Sequence, residues 1–406
     1  MRILVLTNLY PPVVRGGYEV ECRGVVEHLR RDHDVVVLAS RHGREQCPAG
    51  DPVRRELPWV RPNVLRDSLL AGPDSLRAAR IVRRVLDEVR PELIYVWNGA
   101  GMPNAAIAVL QDSGVPVAFR VCEHWFGRLY ADDVFTRHLT PGETGLRGLW
   151  ARGMRAFNRL PGLRVDPGRP RPAAVSWNSE HLREAAGMPR AVRAVHEDVT
   201  LPAVPGTEPL DGLARAPATP SRILFAGRLE AFKGPQVAIR ALAVLRERHG
   251  LEAELVLAGE GEPGRAEELA ALARELGVGD HVRLPGRLAG EAFRAEVAAA
   301  SAWVVPSVWD EPAGLVCTEA ALARVPVVLS QAGGLPEMLR PDEHALAFAR
   351  DDHEGCAASL AAILRGGEEV DARVERAYAR GHELSFGPYV TAMDAFLADA
   401  VRLLRA

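Results

Sequence analysis

The chain has 406 residues, more than one ordinary core fills, which points to two domains. Hydrophobic residues make up 48% and charged residues 25%, the balance of a globular protein. The net charge of −3 gives no overall pull toward nucleic acid or anionic membrane.

Five scattered cysteines (Cys22, Cys47, Cys122, Cys317, Cys356) with no Cys-x-x-Cys argue against a disulfide framework or zinc site and for a reducing compartment. The N-terminal apolar run is too short for a secretory leader. No run approaches the ~18 apolar residues of a membrane span. A cytoplasmic enzyme is the expectation. Heavy use of Arg, Ala, Gly and Pro looks like GC-rich coding in a bacterium.

Along the chain, Ile3 to Leu6 predicts a strand, and 18–30 a helix with Cys22, Val25, Val26 and Leu29 on one face. "DVVVL" (34–38) reads as a strand buried on both faces, as in a parallel sheet. Helix 75–89, strand 93–97, helix 103–112, strand 116–121, strand 173–176 and helix 179–186 follow. Residues 201–220 hold five prolines and no periodicity, and read as a linker. The alternation restarts with strands 222–226, 254–258, 281–284, 302–305 and 326–329. Helices 235–248, 265–276, 290–300 and 314–323 lie between or beside them. The tail is helical after Pro388, with Val390, Met393, Phe396, Leu397 and Val401 as its stripe.

Strands alternating with helices mean parallel, doubly wound sheets. The expected organisation is α/β: an N-terminal Rossmann-like domain over 1–200, a linker over 201–220, a second Rossmann-like domain over 221–384, and a helix over 385–406 returning to the first. The two domains are expected to face a cleft. Ligands of such sheets bind outside the carboxyl ends of the strands.

Two loops there carry chemistry. Arg228 and Lys233 follow strand 222–226 and precede the helix that Pro235 begins. Two cations beside a helix N-terminus suit an anion with several oxygens. Lys233 is the one lysine in a chain whose lysines and arginines number 50. An ammonium that must reach between two phosphates has no room for the wider guanidinium; a chance survivor on a solvated loop is the bland alternative. The second loop is "DEPAGLVCTEAALA" (310–323). Gly314, Leu315 and Val316 open a helix whose free N–H groups can hold phosphate. Glu311 before it and Glu319 about one turn inside can accept bonds from hydroxyls on both sides of a diphosphate. Dipole complementarity alone is the commoner reason for an acid in a first turn.

Glu311-x7-Glu319 within "EPAGLVCTEA", with "AGRLEAFKG" upstream, resembles the family 4 retaining glycosyltransferases of the GT-B fold. "LYPPVVRGGYEVE", "VSWNSEHLREAAGMP" and "GGLPEML" extend the resemblance over nearly the whole chain. It implies that Arg228 and Lys233 hold the donor diphosphate, Glu311 the sugar hydroxyls and Glu319 the ribose. The backbone of Gly314, Leu315 and Val316 would complete the phosphate cradle. Gly16 and Gly17 would let the N-terminal loop approach the donor through glycine's tolerance of positive φ and close contact. Arg283 to Arg287 would lie near the base. The implied reaction is sugar transfer from a nucleoside-diphosphate sugar with retention, without metal or cofactor. The acceptor is a glycan, a lipid or a small metabolite, with a specialised small metabolite or natural-product scaffold favoured. A 2-epimerase of the same fold, or a non-catalytic nucleotide-sugar-binding protein, is the alternative. A pyridoxal phosphate phosphorylase would need Lys233 for its Schiff base.

Two segments depart from the family pattern. In place of a His-Asp-aromatic-Trp motif stands "RVCEHWFG": Cys122 takes the histidine position, Glu123 the aspartate position, and His124 falls one step late. Either His124 supplies the missing role, or it is an acceptor contact or a packed histidine. "VHEDVTLP" replaces a Pro-Gly-Val-Asp motif before the linker. Residues 131–170 form an arginine-rich insertion in which Leu149, Met154, Phe157 and Leu160 are expected to share a helical face. A lid or acceptor wall is the preferred reading over a membrane-lying helix or a packed loop.

Overall fold

A computed structural model describes residues 1–61, 65–139 and 144–405. The chain divides into two compact units, Met1–Thr200 with Val390–Ala406, and Leu201–Tyr389.

The first unit is a seven-stranded sheet of β1 (Arg2–Thr7), β2 (Asp34–Ser40), β3 (Arg54–Leu57), β4 (Leu93–Asn98), β5 (Val117–Val121), β6 (Arg171–Trp177) and β7 (Val192–Val199). Its order is β3-β2-β1-β4-β5-β6-β7, every pair parallel. Central strands are buried along their length, as "ILVL" (3–6) and "LIYVW" (93–97) require of a sheet covered on both faces. Helix Ala71–Val89 lays Ala78, Ala79, Val82 and Val85 against the sheet at helical spacing. Helix Phe386–Arg405 begins two residues before Pro388, which the first turn tolerates because its missing N–H has no helical partner there. It closes this unit: Tyr95 OH donates to Met393 Sδ at 3.5 Å, His28 Nε2 lies 2.8 Å from Asp394, and His196 stacks on Phe396.

The second unit is a six-stranded sheet of β8 (Ser221–Ala226), β9 (Ala253–Ala258), β10 (Val282–Gly286), β11 (Ala302–Val305), β12 (Val327–Ser330) and β13 (Leu346–Phe348). The order is β10-β9-β8-β11-β12-β13, again all parallel. Helix Pro235–His249 packs on helix His353–Arg365, whose Cys356, Ala357, Leu360 and Ala361 are buried. The proline-rich 201–220 lies on this unit. Leu210 enters its core, and the N–H groups of Ala216 and Ala218 donate to Ala298 and Ala299 at 2.9 and 3.0 Å.

Inside the insertion, residues 140–143 fall outside the described ones, and a helix runs Gly145–Phe157. The expected apolar face is corrected. Met154 is buried and Phe157 packs on Phe135, but Leu149 and Leu160 are exposed. Leu149 and Met154 are five residues apart, which turns the second ~140° away from the first at 3.6 residues per turn.

Burial of charge marks the first unit. Arg120, in the middle of β5, is fully buried and meets Glu21 at 2.9 Å, with further bonds to Ser176 Oγ and Trp177 O at 3.1 Å. Removing one partner of such a pair strands the other charge away from water. Arg120→Met is expected to lower stability by about 3–5 kcal/mol in urea unfolding, with most of the loss regained by adding Glu21→Leu.

Candidate functional site

In the second sheet the chain order reverses between β8 and β11, and the loops leaving these strands lie at adjacent carboxyl ends. Residues 227–234 follow β8 and residues 306–314 follow β11. The two are locked backbone to backbone. Gly234 sits at φ +75°, and a Cβ there would fall 1.8 Å from the Pro306 carbonyl oxygen. Val308 N–H donates to Phe232 O at 2.9 Å. A third loop, after β12, is held as closely: Gly333 is at φ +62°, a Cβ on it would fall 2.2 Å from Glu311 O, and Gly334 N–H donates to that oxygen at 2.7 Å. Only glycine meets both demands.

This close approach brings Lys233 and Glu311 together. The ammonium lies 2.7 and 2.9 Å from the two carboxylate oxygens. Glu311 is only 4% exposed. Ser307 Oγ also donates to Glu311 Oε1 at 2.5 Å, and Ser307's own carbonyl accepts from Ser330 Oγ at 2.7 Å. Phe232 and Trp309 flank the ammonium, each ring centre 5.9 Å away. A compact charge fits between two rings and a carboxylate; a planar guanidinium is wider.

Arg228 is exposed, its guanidinium 4.8 Å from the Phe232 ring centre, and no hydrogen-bond or ion-pair partner holds it among the described residues. Its five N–H donors find no acceptor among the described residues. Gly314, with no side chain to cap it, starts helix Leu315–Leu322, whose opening N–H groups lack intrahelical acceptors. Glu319 lies in that helix, half-buried, and among the described residues its carboxylate has no hydrogen-bond or ion-pair partner. Loss of water around the carboxyl pushes its pKa up to about 7. Of the segment expected near the base, Arg283 is committed elsewhere, bridging Glu254 and Glu296 together with Arg222. Arg287 is exposed just past β10.

Gly16, Gly17 and His124 belong to the first unit. Gly16 caps helix Gly17–Leu29 at φ −153°, extended backbone that any residue adopts, so left-handed freedom is not what this glycine supplies. A Cβ there would meet nothing closer than Glu19 Oε2 at 3.7 Å. Glu19 is fully buried and accepts from the N–H groups of Arg15 and Gly16 at 3.0 and 2.9 Å; burial raises its pKa despite these bonds. Its signal in the sequence is the acid three residues after the cap. Cys122, at the family's histidine position, is buried with its thiol donating to Glu21 Oε2 at 3.8 Å. Glu123 accepts from Asn98 Nδ2 at 3.2 Å. His124 is half-buried beside them in the loop after β5. Ser307 had no sequence signal at all. Among the described residues no group of three His, Cys, Asp or Glu could hold a metal ion.

Residues 214–380 match the family model "Glycosyl transferases group 1". That segment carries the group 1 glycosyltransferase pattern. The glycogen synthase of Mycobacterium tuberculosis is 29% identical over 400 residues, covering 90% of this chain and 86% of that protein. The D-inositol 3-phosphate glycosyltransferase of Streptomyces scabiei is 34% identical over 221 residues, 51% of this chain and 48% of the relative. Anabaena HepE, crystallised with UDP and glucose, superimposes with a TM-score of 0.63 over 98% of this chain and 100% of its own, at 17% identity. This likeness confirms the GT-B fold.

Glu319 gives the second unit a pH signature. Its folded pKa lies above the ordinary carboxylate value of 4.5, so the folded state holds the proton longer and stability falls as pH rises from that value through about 7. The melting temperature of Glu319→Gln is expected to exceed wild type by a margin that grows from pH 5 to pH 8 and then levels. A margin constant with pH would show that the carboxyl titrates normally.

Proposed function

We propose that this glycosyltransferase moves a sugar from a nucleoside-diphosphate sugar to an acceptor with retention at the anomeric carbon, without metal or cofactor. The observation that carries the reading is the Lys233–Glu311 pair at the switch point of the second sheet, with Arg228 in the same loop as Lys233 and Glu319 in the helix that follows Glu311, neither side chain having a hydrogen-bond or ion-pair partner among the described residues. Arg228 and Lys233 take the diphosphate oxygens, with the helix start at Gly314, Leu315 and Val316 as the third support. An ammonium has three protons; Glu311 occupies two directions and leaves one for phosphate. Glu311 then turns its oxygens to sugar hydroxyls, and Glu319 accepts from the ribose diol. Gly16, Gly17 and His124 are assigned to substrate contacts on the first unit.

The bond from the anomeric carbon to the β-phosphate oxygen breaks, and a bond to the acceptor oxygen forms on the same face. The acceptor proton passes to the departing diphosphate. Negative charge grows on that diphosphate in the transition state, which is where two cations and a helix start have most effect. HepE was crystallised with UDP and glucose, which favours a uridine donor as the first to try. A small metabolite is the preferred acceptor class: Cys122, buried on Glu21 at the family's histidine position, marks a specialised first unit.

Incubation with a uridine diphosphate α-hexose and a panel of sugar, inositol and phenol acceptors is expected to give an α-linked product, read from the anomeric proton coupling by NMR. A β-linked product would end the retaining assignment, and epimerised donor without acceptor would favour the 2-epimerase. Lys233→Arg is expected to lower kcat/KM by about 100-fold, close to the loss in Lys233→Ala. An arginine variant with wild-type turnover would overturn the shape argument. Glu319→Ala is expected to weaken nucleoside diphosphate binding by calorimetry, whereas Glu311→Ala lowers turnover with the sugar donor and spares binding of the free nucleotide.

A further inference from the structure

Six exposed large hydrophobic side chains gather on two short segments of the first unit: Leu65, Leu69 and Leu70 on one, Leu149, Trp150 and Leu160 on the other. Leu65 is 76% exposed and Leu149 64%, far beyond what a core-facing leucine shows. The segments adjoin. Phe157 packs on Gly72, where a Cβ would stand 3.0 Å from the ring, and Arg83 of helix Ala71–Val89 donates to Gly162 O. Helix Gly145–Phe157 already spends its inner side, Ala151 and Met154, on the core. Its outer side, Leu149, Arg152, Gly153 and Ala156, recurs at helical spacing and continues into Arg159 and Leu160, all exposed.

The charge on the second segment is one-sided. Residues 144–164 carry Arg147, Arg152, Arg155, Arg159 and Arg164 and no acid, within a chain of net charge −3. Among the described residues only Arg155 of the five has a side-chain hydrogen bond, to His138 O at 3.2 Å. We infer that this face docks on an anionic phospholipid surface. Leucines beside unpaired guanidinium groups match the two layers of such a surface, acyl chains below and phosphates above. A second copy of this chain would oppose five guanidinium groups to five. A nucleic acid would satisfy the arginines and leave Leu65 and Leu149 in water. The association is peripheral, because no described helix is long and apolar enough to cross a membrane. The inference uses no residue of the donor site and stands apart from the proposed reaction.

Co-sedimentation of the full chain with vesicles of mixed phosphatidylglycerol and phosphatidylcholine, and of phosphatidylcholine alone, tests it. Binding is expected on the mixed vesicles, weakened by salt, and at least about tenfold lower on neutral ones. Arg152→Glu with Arg159→Glu is expected to lose about tenfold or more in affinity. Leu65→Ser with Leu149→Ser, which keeps the charge, is expected to lose several-fold. All four side chains are exposed, so melting temperatures should match wild type, and the salt titration of wild type needs no variant. Absence of wild-type binding, equal binding to neutral vesicles, or a serine pair that binds like wild type overturns the inference; the last outcome, with the arginine variant impaired, identifies an acidic polymer as the occupant.

Discussion

A lysine ammonium held between both oxygens of Glu311, 2.7 and 2.9 Å away, is the contact on which the second unit's site depends. A carboxylate nearly excluded from water is expensive unless a cation and hydrogen bonds take over the work of solvent. Lys233 supplies the cation and Ser307 a hydroxyl. Ser330 holds the Ser307 backbone, and the loop bearing Gly333 and Gly334 presses on Glu311 from the other side. Three loops, after β8, β11 and β12, therefore share one ion pair, and a shift in any of them moves the carboxylate.

Around this fixed pair stand groups whose bonds are left open. Among the described residues, Arg228 rests on an aromatic ring without a carboxylate, and Glu319 loses solvation without gaining a donor. A site in which every charge was already matched would have to break its own bonds to bind a ligand. Here an arginine and a carboxyl remain for an anion and for hydroxyls respectively, while the Lys233–Glu311 pair sets their frame. Parallel strands make this possible, because they deliver all the relevant loops to the same edge of the sheet.

The first unit uses buried charge differently. Glu21 and Arg120 are both sealed in, joining helix Gly17–Leu29 to β5. Cys122 sits over this pair with its thiol toward Glu21. The departure from the family's histidine is thus tied to a neighbouring carboxylate and to packing. Glu123 and His124, just beyond, are the next polar side chains on that loop.

The sequence alone determined two α/β halves and the central strands, because strands buried on both faces must be continuous apolar runs. It also singled out Arg228, Lys233, Glu311 and Glu319 as candidates, since each follows such a strand at a spacing that chemistry and family resemblance both mark. It missed β3, β7 and β13, which lie at sheet edges: an edge strand needs no apolar run, and "RREL" or "VRAVHEDV" carries the charge that edges prefer. It grouped Leu149 and Leu160 with Met154 on one helical face, whereas packing buries Ala151 and Met154 and leaves both leucines exposed. Only the fold could decide that Lys233 pairs with Glu311 across 78 residues, that Ser307 supports them, and that Arg120 finds Glu21 across 99. Local periodicity reports how a segment meets its own neighbours. Which distant charge it meets depends on how loops from separate strands are brought to one edge.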